Sequence, residues 1–218
     1  MTLAIFDLDN TLLAGDSDHA WGEFLVEEGI VDAEIYRQAN DRFYQEYLSG
    51  GLDIHRYLRF ALEPLALHEP EQLAQWREEF VARKIQPMML AKAAALVEDH
   101  RRQGHTLLIV TATNHFVTEP IAELLGIEHL IATEPEMING RYTGAVAGIP
   151  SFKEGKVARL DDWLQHQDLS LEGAWFYSDS HNDLPLLEKV THPVAVDPDP
   201  VLAEHARSHG WKIISLRD

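Results

Sequence analysis

Three apolar runs in this chain empty directly into polar residues, and that arrangement limits the fold more than any other feature. Leu3-Ala4-Ile5-Phe6 leads to Asp7 and Asp9, Leu107-Leu108-Ile109-Val110 to Thr111, and Ala174-Trp175-Phe176-Tyr177 to Asp179 and Asp183. Short apolar runs bounded by turn residues are the pattern of buried strands. Helical patterns separate them: Met88–Gln103, with its stop at Gly104, Thr118–Leu125, Lys156–Gln165, Leu184–Lys189 and Pro200–His209. Further strands are expected at Ile127–Ala132, Pro193–Val196 and Lys212–Leu216, and a hairpin at Glu136–Val146 turning on Asn139-Gly140. Alternating strands and helices predict an α/β fold, a doubly wound parallel sheet with helices on both faces. In such sheets ligands bind outside the carboxyl ends of the strands, where these polar residues would stand.

The stretch after the first strand follows a different grammar. From Asp16 to Lys84 strand signals are nearly absent, and apolar residues recur at helical spacing: Trp21, Phe24 and Leu25; Phe43, Tyr47 and Leu48; Leu73, Trp76 and Phe80. Pro64, Pro70 and the Ser49-Gly50-Gly51 loop punctuate it. The expected organisation is a core of residues 1–15 and 86–218 with a small helical bundle, 16–85, inserted over the strand ends as a lid.

The polar residues carry a chemistry. On a strand, positions i and i+2 share a face, so Asp7 and Asp9 would crowd together and repel unless a cation sits between them. A hard divalent ion with oxygen ligands resolves that repulsion. A lone acid at a strand end most often caps a helix or closes a turn, but here two acidic strand ends occur with a threonine and a lysine. That set suits phosphoryl transfer. Twelve histidines invite a zinc reading, yet they are scattered. His100 and His105, and His205 and His209, are expected as surface residues at helix ends without a third ligand.

The ordered residues resemble the motifs of the haloacid dehalogenase superfamily: Asp7-x-Asp9-x-Thr11, then Thr111, Lys156, and Asp179 with Asp183. The resemblance covers nearly the whole chain. It implies a phosphatase with a helical cap of the phosphoserine-phosphatase-like C1 type, acting through an aspartyl phosphate with Mg²⁺. Asp7 would be the nucleophile and Asp9 the general acid and then base. Thr111, Ala112 and Asn114 would hold the phosphoryl group, with Thr11 also at the substrate. Lys156 would neutralise charge, with Lys153 as its rival in Lys153-Glu154-Gly155-Lys156. The metal would be held by Asp7, Asp9, Asp179 and Asp183, with Asn182 orienting the cluster.

Relatives acting on phosphoserine bind its ammonium through an acid after the first motif and its carboxylate through a cap arginine. Asp16 falls at the acidic position and Ala61 at the arginine position, although Arg56 and Arg59 lie close. Without a bidentate clamp a substrate carboxylate loses a charge-assisted pair. The expectation is therefore a small amino-alcohol phosphate, histidinol phosphate above phosphoserine, favoured further by the acidic Asp16, Asp18 and Glu23. Phosphotransfer to another alcohol remains open on this fold, and a non-catalytic module is the weaker alternative. A formal charge of −18 would repel a nucleic-acid backbone. No apolar run approaches the ~18 residues that suggest a membrane span, and no basic segment precedes the first strand as in a signal peptide. With no cysteine, thiol catalysis and disulfides are excluded. A cytoplasmic enzyme is expected, of undefined oligomeric state.

Overall fold

A computed structural model describes residues 2–217. The chain runs β1 (Leu3–Phe6), α1 (Ser17–Glu27), α2 (Ala33–Leu48), α3 (Ile54–Leu67), α4 (Pro70–Phe80), α5 (Ala91–Arg102), β2 (Thr106–Asn114) and α6 (His115–Leu124). It continues with β3 (His129–Thr133), β4 (Pro135–Ile138), β5 (Arg141–Val146), α7 (Glu154–Gln167), β6 (Trp175–Ser178), α8 (Leu184–Leu187), β7 (His192–Val196), α9 (Pro200–His209) and β8 (Lys212–Ile214). Six strands form one sheet in the order β3-β2-β1-β6-β7-β8, and each neighbouring pair is parallel. None of the helices among the described residues is long and apolar enough to cross a membrane.

β1 lies at the centre because it can bury both faces. Its alternation sends Ala4 and Phe6 into one apolar layer, with α1, α5 and α6, and Leu3 and Ile5 into the other, with α7 to α9. β2 and β6 flank it, registered Phe6 to Ile109 and Phe6 to Tyr177. The chain order reverses across β1, so the crevice of the sheet opens where β1 and β6 release their acids.

Helices α1 to α4 fill the stretch between β1 and α5. The chain leaves and re-enters the core through two adjacent segments, bridged at Leu13 and Met89 and joined by Ala14 N–H to the Met88 carbonyl at 2.8 Å. Trp21 and Phe24 stack, and Phe80 meets both edge-on, as a buried cluster within this helical unit. Pro64 does not punctuate the region: it sits inside α3, whose buried face of Leu58, Ala61, Leu62 and Leu65 outweighs one lost backbone hydrogen bond. The hairpin β4–β5 turns at Asn139-Gly140, both at positive φ, and β5 packs against α3 where Gly144 approaches the Ala66 methyl.

Two further expectations change. β2 does not end at Thr111 but continues to Asn114, with a register shift against β3 between Val110 and Asn114. His100 is not at the surface: it is 4% exposed, and its ring nitrogens meet Tyr177 Oη and His105 Nδ1, each at 2.7 Å. A helix-end position on α5 faces inward here because the aromatic layer of Phe6, Trp175 and Tyr177 accepts a flat polar ring.

Candidate active site

Beyond Phe6 the β1 ladder ends, although Asp7 N–H still donates to the Tyr177 carbonyl at 2.9 Å. The shared face expected for Asp7 and Asp9 is therefore lost, and their side chains part. Asp7 Oδ1 takes Lys156 Nζ at 2.8 Å, while Oδ2 takes the Thr11 hydroxyl at 3.3 Å. Asp9 turns the other way. Its Oδ1 accepts Ser17 N–H at 2.6 Å, and its Oδ2 accepts the Thr113 hydroxyl at 2.7 Å and the longer Thr111 contact at 3.4 Å. Both acids line one cavity.

Lys156, not Lys153, reaches Asp7, and the local chain explains why. A Cβ on Gly155 would stand 2.0 Å from the Pro150 carbonyl oxygen, so only glycine lets α7 start this tightly against its loop. The first turn then delivers Lys156, buried, between Asp7 and both oxygens of Asp183, at 2.8 to 2.9 Å. Burial alone would pull its pKa down, but Asp183 and Asp7 outweigh that and raise it, so the ammonium stays charged. Lys153 adopts a positive φ of 49° and sends Nζ to the Gly50 carbonyl at 2.8 Å, tying the core to the loop between α2 and α3.

Asp179 shares the Thr11 hydroxyl with Asp7: Thr11 Oγ1 lies 3.1 Å from Asp179 Oδ1 and accepts Asp179 N–H at 3.1 Å. Thr11 is thus a fully buried brace between two acids, away from the cavity wall, and not a substrate contact. Asp183 is engaged by Lys156 and by the Ser178 hydroxyl at 2.7 Å, so both its oxygens are occupied and it steadies the lysine. Asn182 donates to the Tyr47 carbonyl at 3.3 Å and to Ser180 Oγ at 3.2 Å, and its Oδ1 is buried without a partner.

Electrostatically the cluster lacks positive charge. Asp7 is pushed up to about 7, first by burial and then by Asp183 and Asp9, against the pull of Lys156. Asp179 is raised well above the carboxylate range by burial, Asp7 and Asp183. Asp7, Asp183 and the part-buried Asp179 against one lysine fit a divalent oxygen-seeking cation. Among the described residues no three acidic or histidine side chains already stand as a closed metal cage. Asp9 is raised to about 6 by burial and Asp16, near the range where a carboxyl lends and takes back a proton.

The cavity enclosed between these strand ends and helices α1 to α3 has about 560 Å³ of space, its open mouth included. Asp7, Asp9, Thr111, Ala112 and Thr113 form its floor; Asp16, Asp18, Phe43, Tyr44, Tyr47 and Tyr57 rise above them. No lysine or arginine is among the described residues that line it. Arg56 and Arg59 are exposed, and Arg56 lies over the Phe43 ring and near Glu46, so neither points into the cavity. Asp16 caps α1 by accepting His19 N–H at 2.8 Å. Asn114 caps α6 and donates to Asp18 at 3.3 Å, reaching the cavity only through that acid. Glu23 is exposed.

The sequence reading passed over Thr113 and the aromatic wall. Thr111 and Thr113 alternate on one strand face, which was a usable signal for two hydroxyls meeting Asp9. Tyr44 and Tyr57 carried none, since helical aromatic spacing looks the same whether it faces a core or a cavity, and Phe152 sits in the loop before α7.

Residues 4–188 match the family model of haloacid dehalogenase-like hydrolases. A histidinol-phosphatase of Neisseria meningitidis is 44% identical, with 99% of each chain covered. A probable phosphatase of Mycobacterium tuberculosis is 31% identical over 99% of this chain and 75% of its own length. Among solved structures, a protein of unknown function from Bordetella pertussis superposes with a TM-score of 0.93 at 47% identity, covering 99% of this chain and all of that one. A substrate-bound phosphoserine phosphatase shares the fold at a TM-score of 0.73 and 18% identity, covering 99% and 93%. By the span of that family match, and by the phosphatases aligned along its whole length, this chain belongs to the haloacid dehalogenase-like hydrolases as a phosphatase.

Proposed function

We propose that the chain hydrolyses the phosphomonoester of a small cationic amino alcohol, with histidinol phosphate as substrate, and that Mg²⁺ assists. The carrying observation is the cavity wall: acids and aromatic rings with no facing lysine or arginine. An ammonium is matched by Asp16 and Asp18 there, whereas the carboxylate of phosphoserine would find no lysine or arginine on the described wall, where the basic side chain, His19, is held by Asp41 at 3.0 Å. The histidinol-phosphatase among the relatives supports the same substrate.

In this reading Asp7 Oδ attacks phosphorus as the ester oxygen departs, and Asp9 passes its proton to that oxygen. The phosphoryl group then rests on Asp7. Asp9, now ionised, takes a proton from water as the water attacks the phosphoryl phosphorus, which frees Asp7 and inorganic phosphate. The Thr111 and Thr113 hydroxyls and Ser17 N–H orient Asp9, and Lys156 offsets the charge gathered around Asp7. Asp7 and Asp179, with the main-chain carbonyl at Asp9, would hold the Mg²⁺, which supplies further neutralisation of the phosphoryl oxygens. Helices α1 to α4 act as the cap, shutting out water when substrate is bound.

Phosphate release from histidinol phosphate, phosphoserine and phosphoethanolamine tests the reading. Histidinol phosphate is expected to lead in kcat/KM, with all turnover lost in EDTA and restored by Mg²⁺. Phosphoserine as the better substrate, or undiminished turnover in EDTA, would refute it.

A further inference from the structure

Asp16 and Asp18 stand two residues apart at the start of α1, yet their surroundings differ. Asp16 is half-buried and caps the helix through His19 N–H. Asp18 is 9% exposed. Its partners are neutral: Asn114 Nδ2 at 3.3 Å and the Tyr57 hydroxyl. Tyr36 lies near enough to feel its charge, and Phe43 packs edge-on to Tyr57, giving an aromatic wall beside the acid. A buried carboxylate held by neutral donors and flanked by rings matches a planar cation or a ring N–H.

We propose that Asp18 is a specificity-determining residue that reads a second basic group on the substrate, a nitrogen of a heteroaromatic ring, while Asp16 takes the primary ammonium. The proposal rests on the amino-alcohol phosphate reading above and deepens it: the substrate class becomes one with an ammonium next to the phosphate-bearing carbon and a basic ring one carbon beyond. Asp9, Asp16, Asp18, Tyr57 and Phe43 all line the one cavity, so a single substrate can set its ester oxygen at Asp9, its ammonium at Asp16 and its ring at Asp18 beside Tyr57 and Phe43. Burial raises Asp18 to about 7, so a basic ring arriving beside it lets the acid ionise and form a charge-assisted hydrogen bond. A neutral ring of the same size gains the aromatic contact alone.

The test is Asp18→Asn with two substrates, L-histidinol phosphate and L-phenylalaninol phosphate, which share the ammonium and differ in ring basicity. Wild-type protein is expected to prefer histidinol phosphate. In the variant kcat/KM for histidinol phosphate should fall roughly ten- to hundredfold, mostly through KM, while phenylalaninol phosphate changes about threefold or less. An equal loss on both substrates, or an unchanged ratio, would overturn the assignment and leave Asp18 a brace for α1. Should the variant fail to fold by its melting profile, Tyr57→Phe removes a hydroxyl from the same acid. It is expected to narrow the ratio in the same direction, and an unaltered ratio would overturn the proposal. Failure of the parent reading shows separately, in wild-type protein, as a preference for phosphoserine over both amino-alcohol esters.

Discussion

The two ends of the cavity are built on opposite principles. At the floor, Asp7, Asp179, Asp183 and Lys156 come from β1, the β6 exit and the start of α7, and hydrogen bonds of 2.7 to 3.3 Å fix each one. At the roof, the walls are aromatic rings from α2 and α3, the α1 cap Asp16 and the α1 acid Asp18, with no lysine or arginine among the described residues that line it. In the proposed reading the floor carries out the phosphoryl transfer and the roof selects what the phosphate is attached to.

The largest expected effect breaks the floor outright. Asp7→Asn keeps the size of the side chain but removes the charge and nucleophilicity, so turnover should fall by at least about 10⁴-fold on every substrate while the protein stays folded. Phosphate release and a melting curve check it, and near wild-type turnover would mean that another group attacks phosphorus. Asp9→Asn should cost about 10² to 10⁴-fold on alkyl phosphates. The loss should shrink on p-nitrophenyl phosphate, whose leaving group needs no proton. A loss of equal size on both esters would show that Asp9 does something other than proton transfer.

A stability measurement sharpens the contrast. Lys156→Met leaves Asp7 and Asp183 buried without their shared cation, so unfolding free energy should drop by about 3–5 kcal/mol in denaturant titration. Ala substitution of exposed Arg56, paired loosely at 4.0 Å, should change it by less than about 1 kcal/mol. Similar costs at both positions would show that the floor is not the electrostatic keystone proposed here.

The floor was legible in the sequence because its residue types are dictated by chemistry and its positions by strand ends. Asp7, Thr111 and Asp179 each follow an apolar run, and that suffices to bring them to one edge of a parallel sheet. The roof was not legible to the same degree. Phe43 and Tyr47 show helical spacing that fits a bundle core, and only the closed structure turns Tyr47 toward Ser180 and Asp179. Arg56 and Arg59 were near the expected clamp in sequence, but a single residue on a helix turns the side chain by about 100°, which is enough to put both in solvent. Pairings such as Thr113 with Asp9 span more than one hundred residues of chain. His100 was misjudged for a related reason, since nothing in α5 reveals the aromatic layer of β1 and β6 that receives it.

The smallest effect lies away from the cavity. Burial and His105 hold His100 down to about 4, below its value in the unfolded chain. A depressed histidine contributes stability that is full above about pH 6.5 and is lost as pH falls toward 4, because the unfolded chain takes the proton first. His100→Gln keeps a polar side chain beside Tyr177 without that titration, so its melting temperature should depend less on pH between 6.5 and 4 than the wild-type value does. Parallel acid limbs for the two proteins would remove His100 from the account.

The claim on which the rest depends is that the phosphoryl group passes through Asp7 at the floor, whatever the roof selects. Quenching turnover of histidinol phosphate in acid, reducing with borohydride and mapping peptides by mass spectrometry tests it most directly. The account predicts reduction of the Asp7 carboxyl to an alcohol, dependent on substrate, with Asp9, Asp179 and Asp183 unmodified. A label on one of those acids or on a histidine, with Asp7 intact, would contradict it.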